Sequence, residues 1–503
     1  MKTYSKIGAR NRTLLTAWGL AESYRRPIAG TKCKIEKSLD YSEGFVCYLC
    51  SERGDRERIA ALMEEEVRQG CYTQSFFDAI DKNYKDVVVR LKTLQRVDPR
   101  ALTNEELLTH YKDFLEMYIT TIHPMVLGIY ASDLSSAFEA ALRKILGEKP
   151  TQEEMTGYTA LLLTPTRLTT VQKEEQLLFE IQDAFEKQYP SGSAEQFESF
   201  AQTEEMQKRL ETVAELYGWF HMEYIGEPKV ASDYRKLIAE RIEDLRNAGV
   251  AWGHELSPVA RLATTIKDQQ DFLNARGASK FFRDLVFAMQ EYLIVIDYSK
   301  SDLIEGIYYF RPFLEEVGRR VGLPSWVNVR YVLPDEVQDL LLNDKRVTEA
   351  YIAERKKNVA CLLEDDEIKI VYGDEAMHMA KALIEDEDSS QVHEFKGLTA
   401  YPGKVTGRAT IVRGAQDREK FKTGEILVCH DTTTELTSVI KKAAAIVADR
   451  GSLLSHTAIV AREFKIPCIV QAKIATKVIK DGDELEVDAS GAIVRILSQS
   501  IKN

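Results

Sequence analysis

The feature that most constrains how this 503-residue chain can fold is a change of hydrophobic period near residue 396. From about residue 54 to 395, apolar side chains recur every three or four positions, as in IAALMEEEVRQG, ELLTHYKDFLEMYITTIHPMVLGIYASDLSSAFEAALRKILG and FFRDLVFAMQEYLIVIDYSKSDLIEGIYYFRPFLEEVGRRVG. That is the pattern of amphipathic helices. Beyond it, GLTAYPGKVTGRATIVRG, GEILVCHD, AAAIVAD, PCIVQ and DELEVDASGAIVRIL are short β-rich runs divided by turn residues, with helical stretches at ELTSVIKKA and HTAIVAREF. One period cannot serve both kinds of element. The expectation is a multidomain α plus α/β chain: a mainly helical region at 1–383, a linker at 384–395 where IEDEDSSQVHEF is acidic and poor in apolar residues, and a mixed C-terminal domain at 396–503.

Local chemistry places several boundaries. Thr103 and Glu106 form a capping-box pattern before a helix, and Gly147 and Gly322 stand just past helix ends. Pro334, with Leu333 in front of it, opens the short helix LPDEVQDLLLND. Within the helical region, KKNVACLLEDDEIKIVYGDEA alternates and predicts a hairpin turning at Asp365-Asp366. The start of the chain, MKTYSKIGARNRTLLTAWGLAES, invites comparison with a signal peptide, but threonines interrupt its apolar patch. It reads better as a first amphipathic helix with Leu14, Leu15, Trp18 and Leu20 near one stripe.

Composition narrows the function. The net charge of −12, without a basic stripe, disfavours nucleic acid and anionic membrane surfaces as partners. Seven scattered cysteines fit a reducing compartment, so a cytoplasmic location is expected. No apolar run approaches the ~18–20 residues a membrane span needs.

Against that background, one of only eight histidines stands out. In AAAIVADRGSLLSHTAIVAREFKIPCIV, a buried-strand candidate leads into a small-residue loop and then a helix, with His456 in the first helical turn. There the unpaired backbone N–H groups and the positive helix end disfavour an added positive charge, which keeps the imidazole neutral near its usual pKa of ~6.5. A neutral imidazole is a nucleophile, and the same helix end stabilises a phosphoryl dianion once attached. Arg450 and Arg462 are suitable donors to phosphate oxygens, Gly451 and Ser452 permit close approach to the backbone, and Ser455 and Thr457 supply hydroxyls. The plainer alternative is a histidine that only caps a helix.

These residues resemble the phosphohistidine motif of the swivelling domain in phosphoenolpyruvate-utilising enzymes, the group that includes phosphoenolpyruvate synthase, pyruvate phosphate dikinase and rifampin phosphotransferase. The order LTAYPGKVTGRATIV, GEILVCHDTTTEL, AAAIVADRGSLLSHTAIVAREFKIPCIV and DGDELEVDASGAIVRIL is similar throughout, over roughly residues 396–498. The resemblance implies that His456 carries phosphate and that its domain swings between distant sites. Ser452 stands where the family usually has a second glycine. The family's ATP-grasp module and metal-binding barrel find no counterpart in the sequence, and no G-x-x-x-x-G-K-[ST] loop is present. The helical region instead looks like the acceptor-substrate domain of rifampin phosphotransferase-like proteins, on its helicity, its position and the piece WVNVRYVLPDEVQDLLL. The implied function is a phosphotransferase, or a component of one, loaded in trans by a separate ATP-grasp protein that binds ATP and Mg²⁺. It would deliver phosphate to a small-molecule acceptor at the helical domain. A non-catalytic protein that keeps the swivelling fold as an interaction module is the alternative.

Other positions offer weaker signals. YGWFHMEYIGEP gathers Trp219, Phe220, His221 and Tyr224, enough to line a pocket with one acid/base group, although core packing explains the aromatics as well. In LTPTRLTTVQKEE, Arg167 and Lys173 suit either an anion or a solvated helix entry. His123 before Pro124 suggests a helix kink with a satisfied histidine. Cys47 and Cys50 have zinc spacing with only Cys71 as a loose third, so no metal is assigned. His430 and Asp431 follow a predicted strand and read as a turn by default, or as residues shaping the site entrance, and the run Glu364 to Glu367 reads as an exposed acidic turn.

Overall fold

The computed structural model describes residues 4–11, 13–25, 35, 37–43, 46–52, 54–147, 149–222, 226–247, 257–343, 345–384, 393–413, 415–430, 437–450 and 456–498. The division into a large helical part and a C-terminal sheet domain is as the hydrophobic period predicts.

The N-terminal region departs from expectation. Strand β1 (Tyr4–Asn11) precedes the helix Leu14–Arg25, and β2 (Ser38–Glu43) and β3 (Val46–Glu52) follow it. They join β4 (Asn358–Glu364) and β5 (Glu367–Tyr372) in one antiparallel sheet of order β1-β3-β2-β4-β5. The predicted hairpin is therefore the outer part of a larger sheet. Its turn residues Asp365 and Asp366 adopt left-handed φ values of 53° and 62°, the geometry that matches the twist of paired strands. Leu39, Tyr41, Cys50, Ala360, Val371, Ala376 and Ala380 form a core beneath this sheet. The first helix buries Leu14, Leu15 and Leu20 as predicted, with Trp18 half-buried.

Around it pack long helices. Asn104–Ala131 begins with the predicted capping box, in which the Thr103 hydroxyl accepts from Glu106 N and the Glu106 carboxylate accepts from Thr103 N. It continues through Pro124, and His123 Nδ1 lies 2.9 Å from the Ser23 carbonyl, so this histidine is satisfied by packing partners. Alongside runs the 42-residue helix Lys280–Val321. Phe114 stacks on Phe310 with centroids 4.1 Å apart and planes 3° apart, and Phe310 stacks in turn on Phe313 at 4.9 Å. Gly128 lets these helices approach closely, since a Cβ there would lie 2.4 Å from Ile296. Gly322 ends the long helix with φ 82°, as its place in the sequence predicts. Pro334 opens Pro334–Leu342, and Glu336 caps Leu333 N and grips Arg355 through two hydrogen bonds of 2.6 Å.

Residues 165–275 form a compact unit of their own. Helices Thr170–Gln188, Ala194–Phe200, Glu204–Tyr217 and Ala231–Asn247 enclose a core that includes Phe185, Phe197, Leu210, Tyr234 and Ile238. The helical period runs on either side of this unit, so nothing in the pattern marks it.

The C-terminal part contains β6 (Glu394–Lys396), β7 (Leu398–Tyr401), β8 (Lys404–Val412), β9 (Ile426–Cys429), β10 (Ala445–Ala448), β11 (Cys468–Val470), β12 (Glu484–Asp488) and β13 (Ile493–Ser498). They build an eight-stranded sheet of order β6-β13-β12-β8-β9-β10-β11-β7. The segment β8-β9-β10-β11 is parallel, and the remaining pairs are antiparallel. Parallel strands covered on both faces need continuous apolar runs, and ILVC, AIVA and CIV are fully buried. One core holds Val439, Ile440, Ala458, Val460 and Ala461 from the crossover helices, and the other packs Leu485, Val487 and Val494 against the opposite face. The proposed linker falls largely at residues 385–392, outside the described residues.

Candidate functional site

In a parallel sheet, ligands collect where the strands end at their carboxyl side, because loops there diverge and helix amino ends point at the opening. Here that edge is formed by the residues following β9, β10 and β11. The β9–β10 pairing continues one step past the strands: Asp449 N donates to Cys429 O at 3.0 Å, and Arg450 N donates to His430 O at 2.9 Å. His430 is thereby fixed beside the chain that leads through residues 451–455 to the helix His456–Glu463.

His456 is the first residue of that helix, as the sequence predicts. Its side chain lies outside the described residues, as do Gly451, Ser452, Ser455 and Asp431. Arg450 is nearly enclosed at the strand end. Thr457 is 0% exposed and Arg462 7%, so both sit in the packing between helix and sheet. Arg462 Nε donates to Ala400 O in β7 at 3.2 Å, and burial pushes its guanidinium down to about 10.

The sequence reading missed the network beneath this edge. The Asp449 carboxylate is 0% exposed and accepts from three donors. Thr476 supplies its backbone N, 3.1 Å from Oδ1, and its hydroxyl, in a short bond to Oδ2. His430 Nδ1 lies 2.8 Å from Oδ2, and facing a carboxylate oxygen it is the donor. Residue-type spacing gives no hint of this. The strand register does, because Cys429 pairs with Ala448, so the next residues along, His430 and Asp449, are neighbours.

A second cluster lies within the unit 165–275. His221 Nε2 and the Tyr234 hydroxyl each lie 2.6 Å from Glu174 Oε1. Burial pushes the Glu174 carboxyl upward, but the charge of His221, the hydrogen bonds from His221 and Tyr234, and Lys229 nearby outweigh it, so the group titrates below the usual range. Trp219 and Phe220 are buried in packing, and their stretch Gly218–Met222 is a 3-10 turn, which corrects the expectation of an aromatic pocket wall on adjacent helical turns. Tyr224 lies outside the described residues, and Arg167 is half-buried near the start of the unit. Because the folded carboxyl is depressed, the native state binds fewer protons than the unfolded chain, and stability from Glu174 is present above about pH 4.3 and lost as pH falls through the lower folded value. Hydrogen-exchange mass spectrometry between pH 5 and 3 should show residues 165–275 losing protection on acidification, with a weaker acid dependence in Glu174→Gln.

Cys50 is buried and Cys71 exposed, Glu364 pairs with Lys37 at 3.1 Å, and among the described residues no group of three or more His, Cys, Asp or Glu could hold a metal ion. Among the described residues no helix is long and apolar enough to cross a membrane.

Residues 421–491 match the family described as PEP-utilising enzyme, mobile domain. The uncharacterized phosphotransferase YvkC of Bacillus subtilis (strain 168) is 34% identical over 201 residues, covering 38% of this chain and 24% of the relative. A probable phosphoenolpyruvate synthase of Archaeoglobus fulgidus is 33% identical over 176 residues, covering 34% of this chain and 23% of the relative. The phosphoenolpyruvate synthase of Pyrococcus furiosus is 32% identical over 175 residues, covering 34% and 21%. The chain thus spans about a quarter or less of the length of these curated relatives. With its matched residues 421–491, its parallel sheet and a histidine opening the helix after β10, the C-terminal part of the chain is similar to the mobile domain of PEP-utilising enzymes.

Proposed function

We propose that this chain is a phosphotransferase, or a phosphotransferase component, that carries a phosphoryl group on His456. The single observation behind this reading is a histidine at the first position of the helix after β10, at the carboxyl edge of a parallel sheet, inside the span that matches the mobile domain. In the loading step a neutral imidazole nitrogen forms the N–P bond as a P–O bond of an ATP-derived donor breaks. In the delivery step the N–P bond breaks, phosphorus bonds to an acceptor oxygen, and the proton of that oxygen passes to solvent. Arg450, at the end of β10, is the cation assigned to the phosphoryl group, and the buried Thr457 and Arg462 hold the helix that carries it.

ATP and Mg²⁺ are assigned to a separate ATP-grasp protein, where the ion neutralises donor phosphate charge. The acceptor is assigned to the helical region, with His221, held by Glu174, and Arg167 and Tyr224 as contacts. Peptide mapping by mass spectrometry after incubation with ATP, Mg²⁺ and that partner tests the reading. Acid-labile phosphate on the peptide containing His456 is the expected result. Absence of label there, with the partner active and phosphoramidate also unreactive, overturns it in favour of an interaction module.

A further inference from the structure

Where helix Gln152–Leu162 packs against β7, a cleft of about 200 Å³ opens between the helical part and the C-terminal sheet. Both walls belong to one compact unit of the chain. Helices Ser135–Leu146 and Gln152–Leu162 contribute Glu139, Arg143, Met155 and Thr159, and the sheet contributes Leu398 and Thr399. Glu139 and Arg143 stand four residues apart on one helix, in the order that ordinarily closes an ion pair. Neither has a hydrogen-bond or ion-pair partner among the described residues, and both line the cleft. Thr159 adds an independent sign. Thr109, Thr120, Thr121 and Thr164 each donate their hydroxyl to the carbonyl four residues earlier, the usual resting place of a helical threonine. Thr159, only 7% exposed, makes no such bond, and its hydroxyl is left without a partner in the cleft wall. Leaving so enclosed a polar group unpaired is costly unless something else reaches it.

We propose that this cleft binds a small zwitterion of the α-amino acid class. Arg143 takes the carboxylate, Glu139 takes the ammonium, and the Thr159 hydroxyl supplies a further hydrogen bond. A plain anion would meet the repulsion of Glu139 and a plain cation that of Arg143, so an occupant bearing both signs is the one that satisfies the pair. Met155 and Leu398 offer its side chain an apolar surface. The size agrees, since pockets for drug-sized ligands start at about 300 Å³ and this cleft is smaller. Because its walls come from the helical part and from the sheet, the ligand binds while the two are together and stabilises that arrangement by linkage. β7 also holds the helix that begins with His456, through the bond from Arg462 Nε to Ala400 O. An occupied cleft therefore restrains the histidine that the carrier reading sets in motion. That consequence rests on the carrier reading, whereas the binding itself does not.

Isothermal titration of the full chain with each standard amino acid in turn tests the site, with acetate and methylammonium as probes that carry one charge only. At least one amino acid should bind, and neither single-charge probe should. Arg143→Gln and Glu139→Gln should each weaken that binding about tenfold to a hundredfold, the range for hydrogen bonds to charged groups, and Thr159→Val should weaken it less. Neither charged side chain is buried, so both variants should melt as the wild type does. Hydrogen exchange should slow on binding in residues 152–162 and in residues 398–401 alike. No binding of any amino acid overturns the proposal. So does an affinity unchanged in both charge variants, acetate binding as tightly as the best amino acid, or protection confined to one wall. Phosphate on His456 is scored by its own labelling reaction, so each of these outcomes leaves the carrier reading standing, and failure of that labelling leaves the cleft to be judged by titration.

Discussion

His456→Ala should carry no acid-labile phosphate and should pass none to any acceptor, with transfer reduced roughly 10⁴-fold or more, as when the nucleophile of a covalent mechanism is removed. The hydroxyls and guanidinium groups assigned to the site cannot replace the ring nitrogen. Serine and threonine hydroxyls lack a depressed pKa, and the arginines are permanently charged donors. His456→Asn keeps a polar side chain of similar size at the helix start and should be equally inactive, which separates nucleophilicity from helix capping. Each variant should keep the far-ultraviolet circular dichroism and melting behaviour of the wild type, because the first residue of an eight-residue helix contributes little to a core built from Ala458, Val460 and Ala461. Quantified phosphopeptides from parallel loading reactions provide the measurement, and label retained in either variant would point to another acceptor.

The largest effect on stability is expected at Phe310, in the C-terminal half of the 42-residue helix Lys280–Val321. Its ring is 0% exposed and lies between Phe114 and Phe313, so truncation removes both stacked contacts and leaves a cavity between two long helices. Phe310→Ala should cost about 3–5 kcal/mol, read as a lower denaturant midpoint for the transition that includes this helix. Phe310→Leu refills most of the space and should lose distinctly less. A loss of similar size in both would mean that aromatic geometry, rather than volume, holds the pair together. Loading of His456 should survive in the folded fraction of either variant, since the mobile domain has its own two cores.

How much of this could be read beforehand depends on the range of the interactions. The parallel strands were legible because burial on both faces demands uninterrupted apolar runs, and ILVC, AIVA and CIV provide them. The helix at His456 and the hairpin at Asp365-Asp366 follow from local chemistry, a small-residue loop in one case and two turn-forming carboxylates in the other. The N-terminal strands were hidden for the opposite reason. YSKIGARN and SLDYSE are too polar to announce themselves, and they are strands because β1 pairs with β3 and β2 lies between β3 and β4, with Ser42 opposite Val359.

The candidate sites divide in the same way. His456 is conspicuous through its immediate neighbours. His430 and Asp449 are 19 residues apart, and Glu174 and His221 47 apart, so their pairing comes from register and helix packing, which spacing along the chain does not encode. Thr457 and Arg462 show the converse difficulty. Their residue types suit phosphate, yet they face inward, because the apolar side of this short helix leaves few positions free.

The interrupted sheet has a consequence for biosynthesis. A nascent chain that has emerged only as far as the long helices holds β2 with one side paired to β3 and the other side open, since its second neighbour, β4, is still untranslated. Until residue 364 leaves the ribosome, that open side is a template for any extended peptide, and the helices must form and wait. The chain closes its first sheet almost last, so premature termination anywhere in the intervening three hundred residues would release a species prone to aggregation rather than a shortened functional protein.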